Sequence, residues 1–158
     1  MRQNLPVTEK EKTYGPDERL ISTTNLRGVI QDANDTFVSV SGFSLDELEG
    51  QPHNLVRHPF MPESVYAKFW ETLQSGHPWM GVIKNRCKNG DHYWVSAYVS
   101  PIYQDGEQVG FQSVRTRPNE QLKRKAAAAF RLGLAAAWGR VWCGRCGSGF
   151  RLWIGGGL

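Results

Sequence analysis

The sequence predicts an α+β domain, an antiparallel sheet with its helices gathered on one side. Three observations carry this. Strand-like runs rich in valine, isoleucine, tyrosine and tryptophan are joined by the turn pairs Asn89-Gly90 and Asp105-Gly106. Between an early pair of such runs and a later trio lie short segments with helical spacing, capping residues and glycine stops. A length of 158 residues suits one domain of ordinary size, large enough to bury a core.

Residues 1–18 are polar, with Pro6, Pro16 and a Glu-Lys-Glu-Lys run, and are expected to form a flexible arm outside the core. Leu20 to Thr24 and Val29 to Ala33 read as strands, with Asn25 to Gly28 as the turn between them. Asn34 and Asp35 then offer helix N-caps before Phe37, Val38 and Ser41, and Gly42 is the stop. Ser44 to Glu47 has the spacing of a capping box, in a short helix closed by Gly50. The run 51–61, with two prolines and two histidines, has no period and reads as an irregular loop with helical turns. Pro62 opens a longer helix whose stripe of Val65, Tyr66, Phe69, Trp70 and Leu73 is expected in the core, ending at Gly76. A hairpin follows over 79–102, then a last strand from Gln108 to Arg117, ended by Pro118.

The hairpin register decides what faces inward. A two-residue turn would pair Asn85 with Trp94, whereas a three-residue turn with glycine in the left-handed position pairs it with Tyr93. The second places Trp79, Ile83, Tyr93, Val95, Ala97 and Val99 on one apolar face and sends Lys84, Trp94, Ser96 and Tyr98 outward. Asn85 then lies on the apolar face. A buried amide needs a partner, from backbone, water or a ligand, and Gly81 in the same strand is a signal of close approach by another group. Arg115 shares a face of the last strand with Phe111 and Ser113; alternation alone leaves open whether that face is the inner one.

Charge is unevenly spread. The net charge is +4, but residues 119–158 hold seven Lys or Arg against one Glu, leaving 1–118 at −2. The main domain therefore lacks the basic footprint of a nucleic-acid binder. Residues 1–15 lack the apolar stretch of a signal peptide, and three irregularly spaced cysteines form no disulfide framework, so a cytoplasmic setting is expected. The tail at 119–158 is basic and rich in Gly, Ala and Trp. Lys123 to Trp138 suits a basic, alanine-rich helix, interrupted by arginine and too short to span a membrane; Gly139 to Leu158 reads as unstructured. Cys143 and Cys146 have metal or redox spacing, without a second pair to complete a site.

The run HNLVRHPFMP followed by PWMGVIKNRCKNGDHYWV, with STTNLRGVIQDANDTFVSVSGFSLDELEGQPHN before it, resembles the PAS sensor domain of bacterial aerotaxis receptors. The resemblance covers Leu20 to Arg117. It implies a five-stranded antiparallel PAS sheet over 19–118, flanked by short helices and holding FAD non-covalently as a redox sensor, with Asn34, Arg57, His58, Trp79 and Asn85 at or near the flavin. Read from the residues alone, Asn85 can hydrogen-bond a flavin's polar edge, Trp79 can pack on its ring system and Arg57 suits a phosphate or carboxylate. Arg115, if inward, needs an anionic or carbonyl partner. Each has a plainer reading: Asn34 as a helix cap, His58 as the residue that orders its loop, Trp79 as core, Arg57 as surface charge. The chain departs from the family at Phe60, where an aspartate is common. It also lacks the membrane anchor, HAMP segment and signalling coiled coil into which family members continue.

The function expected is therefore a flavin-binding redox and oxygen-response domain, with self-association or downstream receptor regions such as HAMP as partners. The alternative is a cofactor-free PAS interaction module docking through Trp94 and Tyr98. Haem held by His53, His58, His77 or His92 is a third option, and a flavin–cysteine photoswitch is disfavoured because Cys87 lies on a strand. No nucleophile–base arrangement, paired carboxylates or phosphate loop suggests an enzyme.

Overall fold

The computed structural model describes residues 4–133 together with 140–141. Strands β1 (Leu20–Asn25), β2 (Ile30–Ala33), β3 (Trp79–Arg86), β4 (His92–Gln104) and β5 (Glu107–Thr116) form one antiparallel sheet. A two-residue strand β6 (Arg140–Val141) extends its edge, giving the order β2-β1-β5-β4-β3-β6. The helices α1 (Asp35–Ser41), α2 (Leu45–Leu48) and α3 (Glu63–Gln74) lie in the connection from β2 to β3, and α4 (Glu120–Arg131) follows the sheet.

Local chemistry sets most of these boundaries. Asn34 accepts from the Phe37 amide at 3.0 Å and Gly42 ends α1 in the left-handed region at φ 76°. Ser44 and Glu47 complete the reciprocal capping box of α2. In the β3–β4 hairpin the pairing Asn85↔Tyr93 is the one expected, with Cys87 donating to Asp91 at 2.7 Å and Gly90 at φ 99° in the three-residue loop. Asp105 and Gly106 both have positive φ, as a tight β4–β5 turn requires.

The inner face of the sheet carries Leu20, Trp79, Tyr93, Val95 and Phe111, packed against Phe37, Leu48, Val56 and Leu73 from the helical layer. One expectation changes here. Residues 4–18 contribute to the core rather than standing off it: Tyr14 is buried and donates to the Trp94 carbonyl at 2.8 Å. The same segment runs beside β4, exchanging backbone hydrogen bonds with His92 through Lys10 and Lys12. Its composition hid this because one aromatic residue and a row of backbone bonds do the attaching.

Trp94 points to the outer face as expected but is covered. Helix α4 packs on it, with Ala126 fully buried and the Phe130 ring stacked on Trp94 at 6.2 Å. Lys123 closes the contact, pairing with Glu11 of the arm at 3.0 Å and Glu120 at 2.9 Å. Helix α4 falls in the predicted basic, alanine-rich segment, starting earlier because Asn119 caps it. Arg86 shares the outer face of β3 with Lys84 yet is also buried, its Nε donating to the Pro6 carbonyl at 2.7 Å. The expectation for Cys143 and Cys146 lies outside the described residues. Among those described, no helix is long and apolar enough to cross a membrane and no cluster of metal-ligating side chains occurs.

Candidate functional site

A cavity of about 210 Å³ lies between the inner sheet face and the helical layer. In the same measure, a cavity of about 150 Å³ accepts a benzene ring, so this one has room for a larger aromatic group. Its floor is Ile83, Asn85, Ala97, Val99, Phe111 and Arg115; its roof is His53, Arg57, Tyr66, Phe69 and Trp70. Flat apolar walls with a few polar groups are what a planar heterocycle with a polar edge requires.

The roof is built by α3 and the loop before it. Tyr66, Phe69 and Trp70 were expected as core, yet they are partly buried because their inner edges border the cavity. Phe69 holds Trp70 and Trp79 edge-on, each at 5.1 Å. Gly28, at φ 75°, lets the β1–β2 turn approach the cavity; a Cβ there would come within 3.0 Å of the Trp70 ring. The loop carrying His53 is tied to the same turn, the His53 amide donating to the Gly28 carbonyl at 2.9 Å.

Arg57 stands over the Tyr66 ring, its guanidinium carbon 3.8 Å from the centroid, and donates to the Met61 carbonyl at 3.3 Å. Burial raises the Tyr66 hydroxyl to a pKa of about 12, against the opposing pull of Arg57. Asn4 in the arm steadies this loop by donating to the carbonyls of Asn54 and Arg57, both at 2.8 Å. Phe60, where a family aspartate would stand, is 70% exposed and rests on the His58 ring. Arg57 forms no ion pair among the described residues.

Arg115 sits at the inner end, 2% exposed. Its Nε donates to Ser113 Oγ at 2.8 Å, its Nη2 donates to Ser22 Oγ, and its guanidinium carbon lies 4.4 Å from the centre of the Phe37 ring. Nη1 is buried without a hydrogen-bond partner among the described residues. An unsatisfied buried donor costs about 1–3 kcal/mol, more when charged, so Nη1 calls for an acceptor that the described residues do not supply. Burial lowers the Arg115 pKa to about 10, so it is still a cation at neutral pH. His53 is pushed down to about 3, first by burial and then by Arg115, and is neutral.

The structure brings Asn85, Arg57 and Arg115 to one cavity and leaves the other three expected residues outside its lining. Asn34 caps α1 and links to β1, accepting from Ile21 at 3.0 Å and donating to Arg19 at 2.8 Å. His58 Nδ1 accepts from the Phe60 amide at 3.2 Å, ordering its own loop. Trp79 is 1% exposed behind Phe69. Gly81 serves Trp79 rather than a ligand, because a Cβ there would overlap the indole ring. Sequence reasoning weighed His53 only as a haem ligand and not as a neighbour of Arg115. Nothing in the spacing marked that contact; only the fold puts it 3.2 Å from Arg115.

Residues 30–115 match the family model described as the PAS fold. Over 115 residues the chain is 51% identical to the aerotaxis receptor of Escherichia coli (strain K12), covering 73% of this chain and 23% of the receptor. It is 32% identical over 106 residues to the bacterioopsin transcriptional activator of Halobacterium salinarum, covering 63% of this chain and 16% of that protein. Among solved structures, a PAS domain from Colwellia psychrerythraea superposes with a TM-score of 0.58 at 26% identity, covering 63% of this chain and 86% of that one. A light-oxygen-voltage domain studied with a flavin analogue shares the fold, with a TM-score of 0.61 at 19% identity over 73% of this chain and 87% of that one. Sheet order, the helices α1 to α3 packed on the inner face and the sequence agree: this chain belongs to the PAS family, and its PAS domain is of the aerotaxis-receptor kind.

Proposed function

We propose that this chain is a flavin-binding redox and oxygen-response sensor domain of an aerotaxis-type receptor, with FAD as its cofactor. The observation that carries the reading is the cavity itself: aromatic walls, an amide at Asn85 and the unpartnered buried Nη1 of Arg115 at its inner end. These residues suit the group. Tyr66, Phe69 and Trp70 supply apolar surface for a ring system, Asn85 and Arg115 supply donors for its polar edge, and Arg57 at the loop supplies a cation for phosphate. A bound flavin supplies reversible electron uptake. The protein's part is to hold the polar edge on β3 and β5, so that a change of charge or hydrogen bonding there pulls on the sheet.

Helix α4 and the arm lie on the other side of that sheet, where Trp94 and Lys123 bind them. The exposed outer-face Tyr98, 41% accessible, is the surface we assign to self-association or to downstream receptor segments such as HAMP. The role is sensing, not catalysis, on the cytoplasmic side of the membrane. An absorption spectrum of the purified chain, with mass identification of any released cofactor, tests the reading. A flavin spectrum with FAD released is expected; a colourless protein that takes up no flavin on reconstitution refutes it.

A further inference from the structure

The cavity opens where its lining passes from buried to exposed. Asn85 on its floor is 4% exposed, whereas Arg27, Pro52 and Asn54 line the same cavity and are exposed, with Arg57 beside them half-buried. These four residues mark the mouth. The lining holds no Asp or Glu, and its cations are all arginines, in a chain whose residues 1–118 carry a net charge of −2. A basic opening in an otherwise acidic domain draws anions.

Arg27 and Arg57 combine a fixed backbone with a free head group. The Asn25 side-chain oxygen accepts from the Arg27 amide at 2.9 Å and from the Val29 amide at 3.1 Å, and the Gly28 amide donates to the Asn25 carbonyl at 3.0 Å, so the turn is closed around Arg27. Gly28 brings that turn against the Trp70 ring. The pairing of Val29 with Pro52 ties it to the loop of Arg57, whose own carbonyl accepts from Asn4 at 2.8 Å. The Arg27 side chain makes no hydrogen bond or ion pair among the described residues, and Arg57 donates there only to the Met61 carbonyl. Two guanidinium groups without counter-charges thus stand on tethered segments at one opening.

We propose that Arg27 is a specificity-determining residue: with Arg57 it forms a two-cation mouth that takes the diphosphate of a dinucleotide flavin, Arg57 meeting the phosphate nearer the ring and Arg27 the outer one. This rests on the flavin reading for the ring itself. Asn85 draws the polar edge of the ring inward, so the substituent on its far side leaves through the mouth, passing half-buried Arg57 before exposed Arg27. A guanidinium fork matches paired phosphate oxygens, and every phosphate in the ligand adds charge for a second fork to meet. A mononucleotide reaches Arg57 only; a flavin without phosphate reaches neither.

Fluorescence titration of the flavin-free full chain with FAD, FMN and riboflavin tests each part. Arg27→Gln should weaken FAD about tenfold and leave FMN and riboflavin within about twofold. Arg57→Gln should weaken FAD and FMN alike and spare riboflavin. Arg27→Lys should recover part of the FAD affinity, because a point charge remains where the fork is lost. Raising salt from about 0.05 to about 0.5 M should cost the parent more FAD affinity than it costs Arg27→Gln. Unchanged FAD affinity in Arg27→Gln overturns the proposal, and so does an equal loss for all three ligands, which would make Arg27 a support of its turn. A parent that binds riboflavin as tightly as FAD overturns the two-cation mouth and leaves the flavin reading standing. A parent that binds none of the three refutes the flavin reading and this assignment together.

Discussion

Asn85→Ala should empty the cavity of its ligand before it disturbs the fold. Asn85 is 4% exposed on β3, and its backbone bridges to Arg57 across the cavity wall. The Asn85 amide acts on the Tyr93 hydroxyl, which has no hydrogen-bond partner of acceptable geometry among the described residues. Truncation therefore breaks no strong internal bond, and stability should fall by about 1 kcal/mol or less. The ligand loses more. An amide can donate and accept along a flavin's polar edge, and two neutral hydrogen bonds at about 0.5–1.5 kcal/mol each amount to roughly 5- to 150-fold in Kd. Fluorescence titration with FAD measures the first quantity. Urea unfolding of the flavin-free protein measures the second, where about 1 kcal/mol is a midpoint shift of some 0.3–1 M. A variant that keeps its Kd within about twofold, or whose unfolding midpoint falls in step with its affinity, would show that Asn85 serves the fold and not the ligand.

The remaining predictions concern the supports of the site. In Gly110→Ala a new Cβ would overlap the Thr24 carbonyl and press β1 from β5, so a loss of about 3 kcal/mol is expected in chemical denaturation; an unchanged midpoint refutes the packing. Phe130→Ala removes the ring stacked on Trp94, and should speed hydrogen exchange in α4 about fivefold while leaving flavin affinity unchanged, since α4 is on the opposite face. Acid should destabilise the protein. His53 and His58 are held near 3 and 4, chiefly by burial. Between those values and the ordinary histidine pKa of about 6.5, the unfolded chain binds more protons than the folded one, so stability falls as pH drops through that window. Urea midpoints measured from about pH 7 down to about pH 4.5 should decline, and less steeply in His53→Gln; a flat profile contradicts the burial of both rings.

The fold was legible where short-range chemistry decides it. Caps at Asn34 and Ser44, the Asn89-Gly90 turn and the alternation of β3 and β4 each name their own partners within a few residues, and the register follows. The site was legible only in part. Alternation placed Asn85 inward and left Arg115 undecided, because both faces of β5 mix polar and apolar residues; the fold puts Arg115 inside, where Ser22 and His53 meet it. Trp79 and His58 were drawn toward the ligand by the family resemblance, yet Phe69 stands in front of the first and the second is occupied with its own loop. Coverage from outside the sheet cannot be read from period: alternation says that Trp94 points outward, not that Phe130 will meet it. Tyr14 is the same case in an arm whose composition otherwise reads as solvated.

The place of β1 in the sheet bears on how this domain is to be trimmed for expression. The family match begins at Ile30, after β1, yet β1 lies between β2 and β5 and pairs with both. A fragment trimmed to the matched segment would leave β2 with no neighbour, expose the edge of β5 to other chains and discard Ser22, which helps hold Arg115. A workable boundary runs from the arm through α4, and fusion tags belong beyond both. A tag set against Asn4 would pull on the loop that presents Arg57, so a weak-binding preparation would report its cloning junction and not its cofactor site.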